Sequence, residues 1–548
     1  MVQRAEKKKK KPSGVRFKGS SLTVGKQVVS AAISSVDAAA GERTASTEQE
    51  SWRTGEYVDH FIELTRLSAQ SPDNALKMAQ AGLDALYSSF EYAYSSAGAE
   101  EVVVPLQQAG TVPPRFTFRT VTIKGQGQQI APGLSVPYKP ARGGVLEGKA
   151  LLDQADLWVR AGIVEPSVAS ALRAIADHPK WLDLSDKYFV LIGAGAEMSP
   201  LPVLLSHGAN VIALDLPHKP KLWERLITTA EMSCGTLHIP VGPAPAHSKA
   251  AHGQEGRAAL CQQAGCNVLT QLPEIAQWLL AAAPRHNLTV GSYAYLDGAL
   301  HVCLAAAMDY LTLFLTTHRP GTSLAVLLSP TDVWTIPFDA HQMSLARWSS
   351  WRLGDAVWVP LRALTRGNIM PKSQTIPLVQ PDDGKEPFAF VDSVLFQQGA
   401  NYLVAKRIQR WRAMLAREQG CIVSATVAPA SATHSVMHNP VLKAAYGGAH
   451  HFGYEVFEPS TSSALTTSFL ARDLADPSSS AHPSTKLRNP EQLFMEHAIS
   501  NILWRLPWRL RGIGEVSALL YYGQHYLIPA VGAVGGAVVA FKQIKSRL

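Results

Sequence analysis

Tyr402 and Lys406 stand four residues apart in NYLVAKRIQRWRAMLAREQG, a run whose spacing predicts a helix, so both side chains share one face. An ammonium beside a phenol stabilises the phenolate and lowers its pKa. That is what a tyrosine needs to exchange a proton with a carbonyl or alcohol near neutral pH. A second set of residues lies upstream in VLIGAGAEMSPLPVLLSHGANVIALD. Gly193, Ala194 and Gly195 follow an apolar strand, and Asp215 closes the next one. In a dinucleotide site the first glycine makes the tight turn and the second admits the pyrophosphate. An acid roughly 20 residues on then holds the ribose hydroxyls. Met198 occupies the third glycine's place, so the following helix is expected to sit further from the strand.

The elements that must position these residues alternate. Tyr188 to Ile192, Asn210 to Asp215, Asn267 to Thr270, Ser323 to Leu328 and Ile422 to Val427 are short apolar runs that read as strands. Between them lie helical segments at Pro200 to His207, Ala299 to Thr317 and Tyr402 to Gly420. Such alternation predicts a parallel sheet covered on both faces. Ala299 to Thr317 is apolar but carries His301 and Asp309, which makes it a packed core helix rather than a membrane span. With 548 residues the chain divides into several regions. Residues 1–50 read as a disordered basic arm and 51–186 as an N-terminal α+β region. A nucleotide-binding core with an insertion follows over 187–475, then a Ser/Pro-rich linker over 476–490. A mainly helical segment covers 491–525, and 526–548 form an apolar tail with a basic end.

Downstream of the tyrosine-lysine helix, the strand Ile422 to Val427 is closed by Pro429 and Thr433. Together with AVLLS at Ala325 to Ser329, this resembles the short-chain dehydrogenase/reductase superfamily, and the resemblance covers about Lys187 to Thr433. It implies a doubly wound, Rossmann-like sheet. Tyr402 would be the general acid or base. Lys406 would lower its pKa and bind the nicotinamide ribose, and Ser329 would hydrogen-bond the substrate oxygen. In the same resemblance Asn267-Val268-Leu269 matches the central strand and Thr270 its cofactor-facing end. Several features depart from the family: no TGxxxGxG turn, Ala430 in place of a glycine, and Tyr402 far beyond Ser329. A large insertion must therefore intervene, and Ser393 lies closer in sequence. The expected function is hydride transfer between a nicotinamide cofactor and a carbonyl or alcohol carbon. Asp215 favours NAD(H), while Lys219 and Lys221 leave NADP(H) open. The substrate is expected to be a small molecule, with a lipid-like one among the options. Two other readings stay open: an S-adenosylmethionine-dependent methyltransferase, disfavoured by Leu191 and Glu197 where that family places an acid and a glycine, and a non-catalytic scaffold.

Other features narrow the field. Of the net charge of +8, Lys7 to Lys11 supply five positive charges, and no basic-aromatic pattern follows them, so nucleic acid is not the expected partner. The five cysteines contain no CxxC pair, which argues for a reducing compartment and against a zinc ribbon. GGVLEGKA at Gly143 to Ala150 lacks both the hydroxyl and the preceding strand of a phosphate loop. His434 and His438 stand one helical turn apart without a companion acid, so a packing role is expected over a metal site. The tail holds an apolar run from Tyr526 to Phe541, with Gly532 and Gly536 spaced for close packing in lipid, and basic residues after it. Ser546-Arg547-Leu548 is a variant of the SKL peroxisomal address. A peroxisome-type organelle is expected, with tail-anchored membrane contact as the alternative.

Overall fold

A computed structural model describes residues 13–95, 101–128, 133–140, 143–243, 254–283, 286–350, 371–381, 383–500 and 502–524. Its centre is a seven-stranded sheet of strands β1 (Arg119–Lys124), β2 (Tyr188–Ile192), β3 (Asn210–Leu214), β4 (Thr236–Val241), β5 (Leu288–Ser292), β6 (Ser323–Leu328) and β7 (Val423–Val427). The strand order is β7-β6-β5-β2-β3-β4-β1. Every pair is parallel except β1 against β4. The chain steps outward from β2 through β3 to β4, then returns to build β5, β6 and β7 on the other side of β2. The connections that leave β2 and β5 at their carboxyl ends therefore run in opposite directions.

Alternation along each strand feeds two cores. Val190 and Ile192 of β2 join one with Ile212, Leu214 and Val290, whereas Phe189 and Leu191 join the other with Val211 and Ala213. The first core is roofed by helices α1 (Ala299–His318) and α2 (Gly399–Glu418). The second lies under the helices Gly148–Ala161, Pro166–Asp177 and Pro459–Ala475. Burial on both faces is why the strands are unbroken apolar runs. As expected, Ala299–His318 is a core helix: most of its apolar stretch is buried within the protein.

Several expectations are corrected. Residues 13–50 are not a disordered arm. Gly14–Phe17 pairs with Phe90–Tyr94, and Ser21–Ser34 is a helix that buries Val24, Val28, Val29, Ala32 and Ile33. Those apolar positions recur at helical spacing, a signal masked by the Ser/Ala/Gly composition around them. Asn267 to Thr270 is a turn, and the strand beside β2 is Leu288–Ser292. The cause is local: Asn267 Oδ1 accepts from Leu269 N–H (2.9 Å) and Gln271 Oε1 accepts from Asn267 N–H (2.6 Å), so side chains take the groups a ladder would need. The expected linker at 476–490 is stitched to the core, because the Arg417 guanidinium donates to the carbonyls of Ser480 (2.7 Å) and His482 (2.9 Å). The lysine run, the apolar tail and the Ser546-Arg547-Leu548 ending lie outside the described residues.

The Ser21–Ser34 helix gives a direct test. Ile33 is fully buried, so Ile33→Ala is expected to lower the unfolding free energy by about 2–4 kcal/mol in urea titrations. A residue in a disordered arm would change it by less than about 0.5 kcal/mol.

Candidate functional site

The turn after β2 is built around Asp215. Its Oδ2 accepts from Gly195 N–H (2.7 Å) and its Oδ1 from Leu216 N–H (2.7 Å). Burial raises its pKa, and these two backbone donors oppose that shift. Gly193 has φ of +88°, and a Cβ there would meet the backbone of Ala294 at 2.5 Å. This glycine is therefore required by packing against the exit of β5. Gly195 is different, since its missing Cβ would meet only the Leu222 side chain (2.3 Å) and Asp215 Oδ2 (3.1 Å). The helix after the turn starts only at Leu201 and ends at Ser206. Met198 and Ala194 lie in the turn, outside the cleft that it borders.

That cleft, of about 350 Å³, lies at the carboxyl ends of β2 and β5. Gly193, Gly195, Asp215, Leu222, Val268 and Tyr295 are among its walls. Thr270, expected at the cofactor-facing end of a strand, is not among them. Its carbonyl instead accepts from Tyr92 Oη (2.9 Å) and Arg115 Nη2 (2.7 Å), which tie the N-terminal region to the core. Over the turn, Glu197 Oε2 accepts from the backbone N–H of His434 (2.7 Å).

Ser329, Tyr402 and Lys406 come together beside this cleft. Ser329 follows β6, and its Oγ lies 2.8 Å from Thr331 Oγ1, which donates to Gln398 Oε1 (2.7 Å) just before α2. Tyr402 and Lys406 stand on the first turns of α2, with Lys406 Nζ 6.0 Å from the Tyr402 ring centre. Lys406 Nζ also donates to Gln409 Oε1 (3.1 Å) and to the Leu327 carbonyl (3.4 Å). The insertion between Ser329 and Tyr402 leaves the sheet through an antiparallel strand pair, Val333–Ile336 with Ala389–Asp392, then returns. Ser393 directly follows that strand pair, and its N–H donates to the Asp332 carbonyl.

The protonation states differ from expectation. Burial pushes the Tyr402 phenol up to about 12, the hydroxyls of Ser329 and Thr331 opposing it. Burial likewise lowers Lys406 to about 8, with Asp332 opposing. The lysine does not depress the tyrosine, because desolvation penalises phenolate and ammonium alike. The neutral phenol is a proton donor.

Sequence reasoning missed three neighbours. His301, at the start of α1, is 1 % exposed and stacks on Tyr402 at 5.8 Å. Burial holds its imidazole neutral, with a pKa lowered to about 3, and Nε2 has no partner. Tyr295 packs on both His301 (4.7 Å) and Tyr402 (6.2 Å). Asp332, three residues after Ser329, takes Arg410 Nη1 on Oδ2 (3.1 Å) and Arg407 Nη2 on Oδ1 (3.4 Å). The i,i+3 spacing of Arg407 and Arg410 was visible, but a charged pair on a helix ordinarily reads as a solvated face. His434 packs on His438 at 3.7 Å between ring centres, and among the described residues no group of three metal-ligating side chains converges.

Two outcomes follow from this electrostatics. Asp332→Ala leaves two buried guanidiniums short of a counter-charge and is expected to cost about 3–5 kcal/mol of stability, read by urea denaturation. For Lys406, the folded pKa lies below the ordinary 10.5. The unfolded chain thus binds more protons between about 8 and 10.5, and stability must rise with pH across that window. Stability is expected to change by up to roughly 3 kcal/mol there, and Lys406→Met removes that part of the slope. No protein-family model matches the chain, and no curated protein matches it at a significant level.

Proposed function

We propose that the chain is an NAD(P)H-dependent reductase of carbonyl compounds, divergent within the short-chain dehydrogenase/reductase superfamily. The observation that carries this reading is the meeting of Ser329, Tyr402 and Lys406 at the exit of β6, beside a cleft where the strand order reverses. Strand order supports it as well. Numbered from β2 in chain order, the six parallel strands run 3-2-1-4-5-6, the order of the doubly wound Rossmann fold, which binds dinucleotides at this reversal.

The residues present fit the adenosine half of the cofactor. Asp215 spends one lone pair per oxygen on the turn and keeps acceptor capacity for a ribose hydroxyl. Its negative charge favours NAD(H) over a ribose phosphate. Leu222 and Val268 offer apolar faces to the base. At about 350 Å³ the cleft is near the lower end of ligand cavities, roughly 300–1,000 Å³, which suits a nucleoside better than a whole dinucleotide. The Glu197–His434 bridge puts a carboxylate near the phosphate path, so binding must open it.

When bound, the reduced nicotinamide supplies a hydride to the carbonyl carbon. Tyr402 donates its phenolic proton to the oxygen, yielding an alcohol. Ser329 orients that oxygen, and Lys406 restores the charge balance behind the phenol. Because Tyr402 is protonated at neutral pH, reduction is the direction it serves.

Thermal denaturation with NADH, NADPH and S-adenosylmethionine tests the reading. NADH is expected to raise Tm and S-adenosylmethionine to leave it unchanged. Gly195→Val should abolish the NADH shift by filling the cleft, and Glu197→Gln should enlarge it. Tyr402→Phe should keep the NADH shift and lower kcat by about 10²–10⁴-fold. Stabilisation by S-adenosylmethionine alone, or a Phe variant with the parent rate, overturns the proposal.

A further inference from the structure

A second, larger cavity of about 630 Å³ lies between helix α3 (Pro440–Gly447) and helix α4 (Leu510–Tyr522). Its walls are mainly apolar: Leu395, Leu442, Tyr446, Phe452, Ile513 and Val516. The space is held open by a rigid contact rather than left by poor packing. The two helices meet at glycines, since a Cβ on Gly447 would lie 2.3 Å from the Tyr521 ring and one on Gly448 2.0 Å from the Ser517 carbonyl. Ser517 Oγ also donates to the Ala445 carbonyl across the same junction.

The cavity's charged lining residues do not serve its interior. Arg511 is paired with buried Asp392 (3.1 Å), and Glu515 is exposed. The apolar walls therefore favour an uncharged occupant. Gln397 is in the cavity's wall, and the next residue, Gln398, accepts from Thr331 of the Ser329–Tyr402 cluster. Burial, and after it the nearby Tyr402 phenol, raise the pKa of Tyr446 in the same wall. The wall also includes exposed apolar side chains, Val441 at 53 % and Leu519 at 71 % exposure. An apolar cavity with exposed apolar side chains in its wall, and with the Tyr402 phenol close to its Tyr446 wall, suits a long chain better than a compact molecule.

We infer that this cavity binds a long, uncharged aliphatic chain whose polar end lies at Tyr402, so that the carbonyl substrate is a long-chain aldehyde or ketone. The substrate assignment rests on the proposed reductase; the binding site does not. The test is displacement of Nile red by 1-dodecanol and by 1-propanol on the full chain, with NADH thermal shifts measured in parallel. Dodecanol is expected to bind at least 100-fold more tightly than propanol. Leu442→Trp, at a partly exposed wall position, and Ile513→Trp are each expected to weaken it at least tenfold while leaving the NADH shift intact. In turnover, KM for dodecanal should rise in these variants with the propanal rate unchanged.

Dodecanol binding that Trp blocks, without any NADH shift, would uphold the cavity and sink the reductase. Equal affinity for the two alcohols, or binding indifferent to Leu442→Trp in a folded protein, overturns the inference. So does a rise in dodecanol affinity in the Val534→Asp variant, which would make the chain's own apolar tail the occupant.

Discussion

Arg410 is buried without measurable exposure, and acids reach it from two distant parts of the chain. Nη1 donates to Asp332 Oδ2 and to the Val333 carbonyl (2.9 Å), and Nη2 to Glu491 Oε2 (2.7 Å). Its guanidinium lies over the rings of Trp334 (4.1 Å) and Phe494 (5.1 Å). Arg407, one turn earlier, joins through Asp332 and Thr65, and Ser68 Oγ donates to Glu491 (2.7 Å). One network thus joins the N-terminal helices, the exit of β6, helix α2 and the segment after the 476–490 stretch. Desolvating such charges is expensive, and the attraction offsets that cost only in good geometry. Any rotation of α2 or shift of the loop after Ser329 breaks it.

The same constraint sets the candidate site. Lys406 precedes Arg407, and Asp332 follows Ser329-Pro330-Thr331, so the ion network locks both halves of the hydroxyl–phenol cluster into one frame. Arg412 adds a second lock, holding Asp309 of α1 through two contacts (2.7 and 2.9 Å) while Tyr87 donates to the same carboxylate. Helices α1 and α2 therefore hold His301 and Tyr402 in a fixed stack. Paired charges outside the cluster contrast with the neutral phenol and imidazole inside it. Burial holds Tyr402 and His301 in their uncharged forms, which suits proton donation, while Lys406, lowered only to about 8, stays largely an ammonium at neutral pH.

Much of this was legible in the chain. Apolar runs of strand length announced β2, β3, β6 and β7, because strands covered on both faces have no polar side to show. Tyr402 and Lys406 declare a shared face by spacing alone, and Asp215 lies one strand after its glycine turn. Strand β5 was missed: LTVGS is short and partly polar, while NVLT looked the better strand until Asn267 captured its own backbone. The N-terminal helix was hidden by small residues that pack well but score as disordered.

By itself, then, the sequence determined the alternating α/β pattern, the glycine turn and the local pairing on α2, all set by interactions within a few residues. The tertiary structure decided that Ser329 meets Tyr402 across a long insertion, since that contact depends on sheet order. It also decided that Asp215 braces a turn and that Arg407 and Arg410 face inward. Last, it decided the protonation of Tyr402 and Lys406. Desolvation is a property of what packs around a group, and residues remote in the chain supply that packing.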